Sequence, residues 1–279
     1  MLKNPLYSFF KSVSALQTTT LLVILVLSHA SAADILMHCS FDKSLDADYA
    51  AGNKTGLSRT ESYVPGKTGQ AVQIDSADAE LIYSAVDNLD KARGSIVLWV
   101  KCSWEEDSRT PHAFFWENGP RKAGLNSIWI WKYGSTLRFD VRDPQDRFVT
   151  TDITGWKPGE WHHIVATWDC HKGIALYIDG KCCAGGASDK SKPFIVYQWN
   201  TFPFRWFQIG GDSSGHPVDG LIDDLRIYDR PLSAEQIGRV FGDIYPVSPE
   251  TDRLYYGTGS KSRIRWRLNC NVTNPAPWR

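Results

Sequence analysis

Trp129 and Trp131 stand on either side of Ile130, so an extended chain puts both indoles on one face. Downstream, Leu137-Arg138-Phe139-Asp140-Val141-Arg142 alternates in the same way. Phe139 and Val141 fall on one side; Arg138, Asp140 and Arg142 fall on the other. A third segment, Tyr197 to Phe207, is aromatic and proline-containing and carries Trp199 and Trp206. These residue types suit a sugar. Its axial C–H groups stack on an indole face, and its hydroxyls need planar polar partners nearby. Two guanidiniums flanking a carboxylate can also grip uronate or sulfate groups bidentately. Each feature has a plainer reading, in which rings fill a core and the charges pair across strands. The candidate ligand-binding set is Trp129, Trp131, Arg138, Asp140, Arg142, Trp199 and Trp206.

The elements that must hold these residues read as short strands. Asp34 to Phe41 is an opening strand, Gly69 to Ile74 and Leu81 to Ser84 are short ones, and Ser95 to Cys102 is longer. Turn signals recur between aromatic runs: Glu117-Asn118-Gly119-Pro120, Lys132-Tyr133-Gly134-Ser135 and Arg142-Asp143-Pro144-Gln145-Asp146. That spacing predicts a two-sheet antiparallel sandwich. Pro158-Gly159 turns the chain into a strand from Trp161, and Asp179-Gly180 is a hairpin turn after Ile174 to Ile178. Ser233 with Gln236 forms a capping box that opens one short helix, Ala234 to Phe241.

The order of these pieces carries a family resemblance. It comprises a Trp161-His162-His163 strand, a strand ending Tyr177-Ile178-Asp179-Gly180-Lys181, and Gly220-Leu221-Ile222-Asp223-Asp224-Leu225-Arg226-Ile227-Tyr228 before the Leu232-Ser233 helix start. Upstream, Gly66 to Asp75 and Gly94 to Lys101 extend it, so it covers roughly residues 34 to 242. The chain resembles the laminin-G-like jelly-roll domains of the concanavalin A-like lectin/glucanase superfamily. The resemblance implies an all-β jelly roll, a fold that hosts binders, hydrolases and adhesion modules alike. It also implies that calcium is a possible cofactor, with Asp42, Asp223 and Asp224 as candidate ligands. The same acids can equally make turn and strand-end hydrogen bonds.

A hydrolase on this fold needs two carboxylates on one strand face, in a Glu-x-Asp-x-(x)-Glu pattern. Glu105-Glu106-Asp107 lacks the second carboxylate, and Asp75, Asp78 and Glu80 are loosely spaced without the opening Glu. Asp223 and Asp224 are neighbours and diverge on a regular strand. His162 and His163 diverge likewise, and packing in the sandwich is their plainer role. There is no HExxH or P-loop. The expectation is therefore a noncatalytic, lectin-like protein with a polysaccharide or glycan as partner. The alternatives are a polysaccharide-cleaving enzyme with a dispersed site and an adhesion module that binds another protein.

Residues 1–32 read as an export signal, with Lys3 and Lys11, an apolar run from Leu21 to Leu27, and Ala30-Ser31-Ala32 for cleavage. The run is short for a membrane span, and an uncleaved anchor is the alternative. Residues 33–242 are assigned to the jelly roll and 243–279 to a C-terminal extension. Cleavage removes two lysines from a chain with 31 basic and 31 acidic residues. The slight negative charge that remains argues against nucleic acid and against adsorption to anionic membranes. Six cysteines, in an oxidising compartment, are expected to form disulfides, with 15 possible full pairings. In the extension, Arg263, Arg265 and Arg267 alternate with Ile264, Trp266 and Leu268. That pattern fits an edge strand packed on the sandwich, or a basic stripe for an anionic polymer.

Overall fold

A computed structural model describes residues 34–117, 127–142, 147–187 and 206–242, together with two short strands of the extension. The chain opens with β1 (Ile35–Cys39), β2 (Tyr49–Ala50), β3 (Tyr63–Pro65), β4 (Gln70–Ile74) and β5 (Leu81–Ser84). Next come β6 (Arg93–Cys102), β7 (His112–Glu117), β8 (Ser127–Tyr133), β9 (Thr136–Arg142) and β10 (Arg147–Asp152). The last part holds β11 (Trp161–Asp169), β12 (Gly173–Ile178), β13 (Lys181–Ala187), β14 (Trp206–Ile209), β15 (Gly220–Tyr228) and α1 (Ala234–Gly242).

Among the described residues these strands form two antiparallel sheets. The nine-stranded sheet runs β13-β12-β11-β6-β15-β1-β2, with β4 also paired to β15 and β3 to β4. The six-stranded sheet runs β10-β9-β8-β7-β14-β5. Their facing sides make one core, because alternate residues of each strand are apolar: Ile96, Leu98 and Val100 from one sheet meet Ile130, Phe139 and Phe207 from the other. The jelly-roll class expected from the sequence is the observed one.

The turn chemistry explains the connections. Asp179 and Gly180 both have positive φ, 49° and 76°, which is the two-residue hairpin geometry that matches strand twist. At α1 the Ser233 hydroxyl accepts from Gln236 N at 3.2 Å, while Ser233 N donates to Gln236 Oε1 at 2.8 Å. This reciprocal cap starts the helix where the sequence places it. Helix α1 then covers the outer side of the nine-stranded sheet through Ile237 and Val240, packed with Val97, Val165 and Tyr228.

His163 lies under this cover. It is fully buried, 4.9 Å from Trp99 and 5.5 Å from Phe241, and neither ring nitrogen has a hydrogen-bond partner. Burial lowers its pKa to about 4, although Asp179 and Asp224 pull the other way while Arg226 and Lys67 reinforce the drop. The unfolded imidazole titrates near the ordinary 6.5, so between pH 6.5 and 4 the unfolded chain binds the extra proton. Stability is therefore lost as pH falls through that window, by about 3 kcal/mol from this group. His163→Phe is expected to flatten that part of the curve. Urea unfolding of both proteins at pH 7 and pH 4.5 checks it, and equal acid sensitivity would contradict it.

The extension is described at two strands only. β16 (Ser248–Pro249) and β17 (Trp266–Arg267) pair antiparallel with each other. The expected packing of an edge strand on the sandwich otherwise lies outside the described residues, as does the export signal. Among the described residues no helix is long and apolar enough to cross a membrane. Among the described residues, Cys39, Cys102, Cys170, Cys182 and Cys183 stand as thiols with no disulfide between them. The physical reason is placement. Cys39 and Cys102 fill the core like small apolar residues, and burial pushes the Cys39 thiol up to about 12. Cys182 and Cys183 lie exposed on β13.

Candidate functional site

The site is built on the outward side of the six-stranded sheet. Ladder register sets Trp129 opposite Asp140 and Trp116, and Trp131 opposite Arg138 and Ala113. Cross-strand partners share a face, so these side chains point one way while Ile128, Ile130, Phe139 and Phe115 point into the core. Trp129, Trp131 and Trp206 are part-exposed, and Trp116 is buried among them. The Trp116 ring lies 6.2 Å from Trp129 and 5.4 Å from Trp206, the latter edge-on. Trp199 lies outside the described residues, as does the side chain of Arg142.

A cleft of about 220 Å³ opens on this face. It is lined by Trp116, Trp129 and Trp131 and, from the loop after β14, by Asp212, Ser214 and His216. The rim loop is fixed at both ends. Gly210 N donates to Phe114 O at 2.9 Å, Val218 N to Gly210 O at 2.8 Å, and Ala113 N to His216 O. Inside the loop, Asp212 Oδ1 accepts from Ser214 N at 2.8 Å and from His216 N, while its Oδ2 lies 2.9 Å from His216 Nδ1. His112 stacks on Trp104 at 5.1 Å and sets its Nδ1 2.9 Å from Pro217 O. Burial lowers its pKa below the ordinary histidine value, against the pull of that carbonyl.

Arg138 and Asp140 form an ion pair within β9. Arg138 Nε donates to both oxygens of the fully buried Asp140, at 2.8 and 2.9 Å, and the Trp131 indole N–H donates to Asp140 Oδ2 at 2.7 Å. The guanidinium also lies over the Phe148 ring, 3.7 Å from its centroid. The Arg138–Asp140 pair thus lies along one strand. Its effect is to lock the Trp131 ring in place.

The three candidate calcium ligands are spent differently. Asp223 Oδ2 accepts from Lys67 N at 2.7 Å and Thr68 N at 3.0 Å, and Asp42 Oδ1 accepts from Gln70 N at 2.8 Å. Together they hold the turn between β3 and β4. Burial pushes the Asp223 carboxyl up to about 6, against those two N–H groups. Asp224 is an inserted residue in a bulge of β15, with φ 47°, and bonds to His38 Nε2 at 2.8 Å and Arg226 Nε at 3.1 Å. Burial disfavours its charge, but His38 and Arg226 win and hold its pKa below the usual carboxylate range. Asp224 Oδ2 also lies 3.0 Å from Arg226 Nη2. Among the described residues no three His, Cys, Asp or Glu side chains group as a metal site.

His162 and His163 take opposite sides of β11, as adjacent strand residues must. His162 stacks on Trp156 at 3.9 Å and sets Nδ1 3.0 Å from Asp179 Oδ2. Both rings are structural, and neither lines the cleft. The sequence reading missed His112, Trp116, Asp212 and His216. Trp116 escaped because β7 carries a bulge between Ala113 and Phe115, which puts Phe114 and Phe115 both in the core and resets the alternation. The sequence reading made no assignment for Asp212-Ser213-Ser214-Gly215-His216.

The family model described as the concanavalin A-like lectin/glucanases superfamily matches residues 68–238. No curated protein matches. Among solved structures, the chain is similar to domain 4 of AbnA, an extracellular GH43 arabinanase from Geobacillus stearothermophilus, in complex with arabinotriose. The TM-score is 0.57 at 21% identity, over 75% of this chain and 98% of that one. It is also similar to the binding domain of botulinum neurotoxin serotype D, with TM-score 0.60 and 14% identity over 76% of this chain and 53% of that one. The binding domain of botulinum neurotoxin DC in complex with SialylT matches at TM-score 0.58 and 12% identity, over 77% and 53%. The chain thus spans about half the length of these toxin domains.

Proposed function

Because the chain belongs to the concanavalin A-like lectin/glucanases superfamily, we propose that it is an exported, noncatalytic glycan-binding domain whose ligand lies in the Trp116–Trp129–Trp131 cleft. The observation that carries this reading is the cleft itself. It joins apolar indoles to the polar Asp212, Ser214 and His216, which is the division of labour a sugar needs. The two solved complexes above, one with arabinotriose and one with SialylT, support a binding role on this fold.

The noncatalytic part rests on the carboxylates. Glycosidases generally flank the scissile bond with two acids. Asp212 is the one acid among the described lining residues, and it is already engaged by His216 and two backbone N–H groups. Export rests on the signal-like residues 1–32. The reading gives Ca²⁺ no role, since the acids proposed to hold it bind the β3–β4 turn and Arg226.

The test is calorimetric titration of the purified domain with a panel of oligosaccharides beginning with arabinotriose. Binding is expected, unchanged within about twofold by EDTA, and with no release of reducing ends from the parent polysaccharides. Reducing-sugar release would make the protein a hydrolase. An empty panel together with capture of a protein partner would make it an adhesion module.

A further inference from the structure

Phe148 is 49% exposed, although it sits within strand β10 of the sandwich. Ladder register shows which way it points. Phe148 pairs with Asp140, Asp140 with Trp129, and Trp129 with Trp116. Cross-strand partners share a face, so these four residues form one row across β10, β9, β8 and β7. Val149, the next residue, turns into the core, so the row lies on the outward side. It therefore carries the aromatic surface of the cleft on toward β10, the edge strand of the sheet. A single exposed ring needs no explanation, but one continuous with part-exposed Trp129 and Trp131 does.

Phe148 is also held in place. The Arg138 guanidinium lies 3.7 Å from the centroid of its ring and 5.7 Å from that of Trp131. Arg138 Nε donates to both oxygens of Asp140, which also accepts the Trp131 indole N–H at 2.7 Å. One buried carboxylate thus fixes the Trp131 ring directly and the Phe148 ring through Arg138. A surface aromatic that is already ordered loses little entropy when a ligand stacks on it. Spacing sets the kind of ligand. Strands lie about 4.8 Å apart, so a saccharide chain crossing them advances by roughly one strand per residue.

We infer that the glycan site continues past the cleft to a second stacking position on Phe148, so that its ligand is the interior of an extended polysaccharide chain lying across the strands. Trp116, Trp129 and Trp131 hold one stretch of that chain. Phe148, two strands beyond Trp129, holds a unit farther along. Between them β9 presents Arg138, 22% exposed, as a polar surface for hydroxyls. A single sugar or a chain end would use the cleft alone.

The inference rests on the glycan-binding reading, and its test separates the two. Linear arabino-, cello- and malto-oligosaccharides, from dimer to hexamer, are titrated calorimetrically against the wild type, Phe148→Ala and Phe148→Tyr. In a series that binds, wild-type affinity is expected to rise about tenfold between trimer and pentamer and then level off, the gain from one more stacked ring. Phe148→Ala is expected to lose that gain while binding the trimer within about twofold of wild type, and Phe148→Tyr to keep it. Phe148 is exposed, so shortening it opens no cavity in the core, and near-UV circular dichroism reports the fold. A trimer bound as tightly as the hexamer overturns the inference and leaves the glycan-binding reading standing. So does a length gain that survives in Phe148→Ala, or a loss in that variant equal for trimer and hexamer. No binding at any length overturns the glycan-binding reading and this inference with it.

Discussion

Lys91→Met is expected to lose about 3–5 kcal/mol of unfolding free energy at pH 8, the cost of orphaning a buried charge. Lys91 Nζ lies 2.8 Å from Glu117 Oε2, with side chains 6% and 1% exposed. The pair joins the segment entering β6 to the end of β7, which belong to different sheets. Burial pushes the Glu117 carboxyl up to about 7, and Lys91 pulls against it. An acid whose folded pKa is raised holds its proton longer in the native state than in the unfolded chain. Its presence therefore costs stability as pH rises from about 4.5 to 7, with the full penalty above that. Removing Lys91 deepens the penalty, so the variant should be least stable at pH 8 and recover toward pH 5. The double variant Lys91→Met with Glu117→Leu should return close to wild type, because a buried pair replaced by apolar side chains of similar size is often neutral. Urea unfolding of the three proteins at pH 8 and pH 5 checks this. A loss under about 1 kcal/mol, the same at both pH values, would mean that the pair is solvated.

Trp131→Ala is expected to weaken saccharide binding about 30-fold or more, equivalent to roughly 2 kcal/mol and typical of a central aromatic anchor. Trp131 forms one wall of the cleft and donates its indole N–H to Asp140. Trp131→Phe separates these two roles, since it keeps a stacking ring but leaves Asp140 to Arg138 alone. Calorimetry should place Trp131→Phe between wild type and Trp131→Ala. Equal loss in both variants would shift the weight from ring stacking to the Asp140 hydrogen bond.

Sequence periodicity exposed what depends on neighbours in the chain. Alternation in β8 and β9 placed Trp129 with Trp131 and Arg138 with Asp140, because a strand without a bulge has a strict period of two. The Asp179-Gly180 turn and the Ser233–Gln236 cap were equally readable, as each is a local bond between near residues. What depends on distant partners was hidden. The inserted residues in β7 and β15 shift the parity at Trp116 and Asp224, and such insertions are defined by the strand alongside. The rim at Asp212 and His216 meets Trp131 only because β14 pairs with β7. The surplus of tryptophans misled in part. Trp99, Trp104, Trp156 and Trp168 are buried and structural.

The cleft assignment is tested most directly by indole ¹⁵N–¹H spectra of tryptophan-labelled protein, with signals assigned by single substitution and followed as arabinotriose or the best-binding oligosaccharide is added. The indole signals of Trp116, Trp129 and Trp131 should move together with one saturation curve, while Trp99 and Trp168, buried elsewhere in the sandwich, stay still. Saturable binding that shifts other indoles and leaves those three unmoved would contradict it.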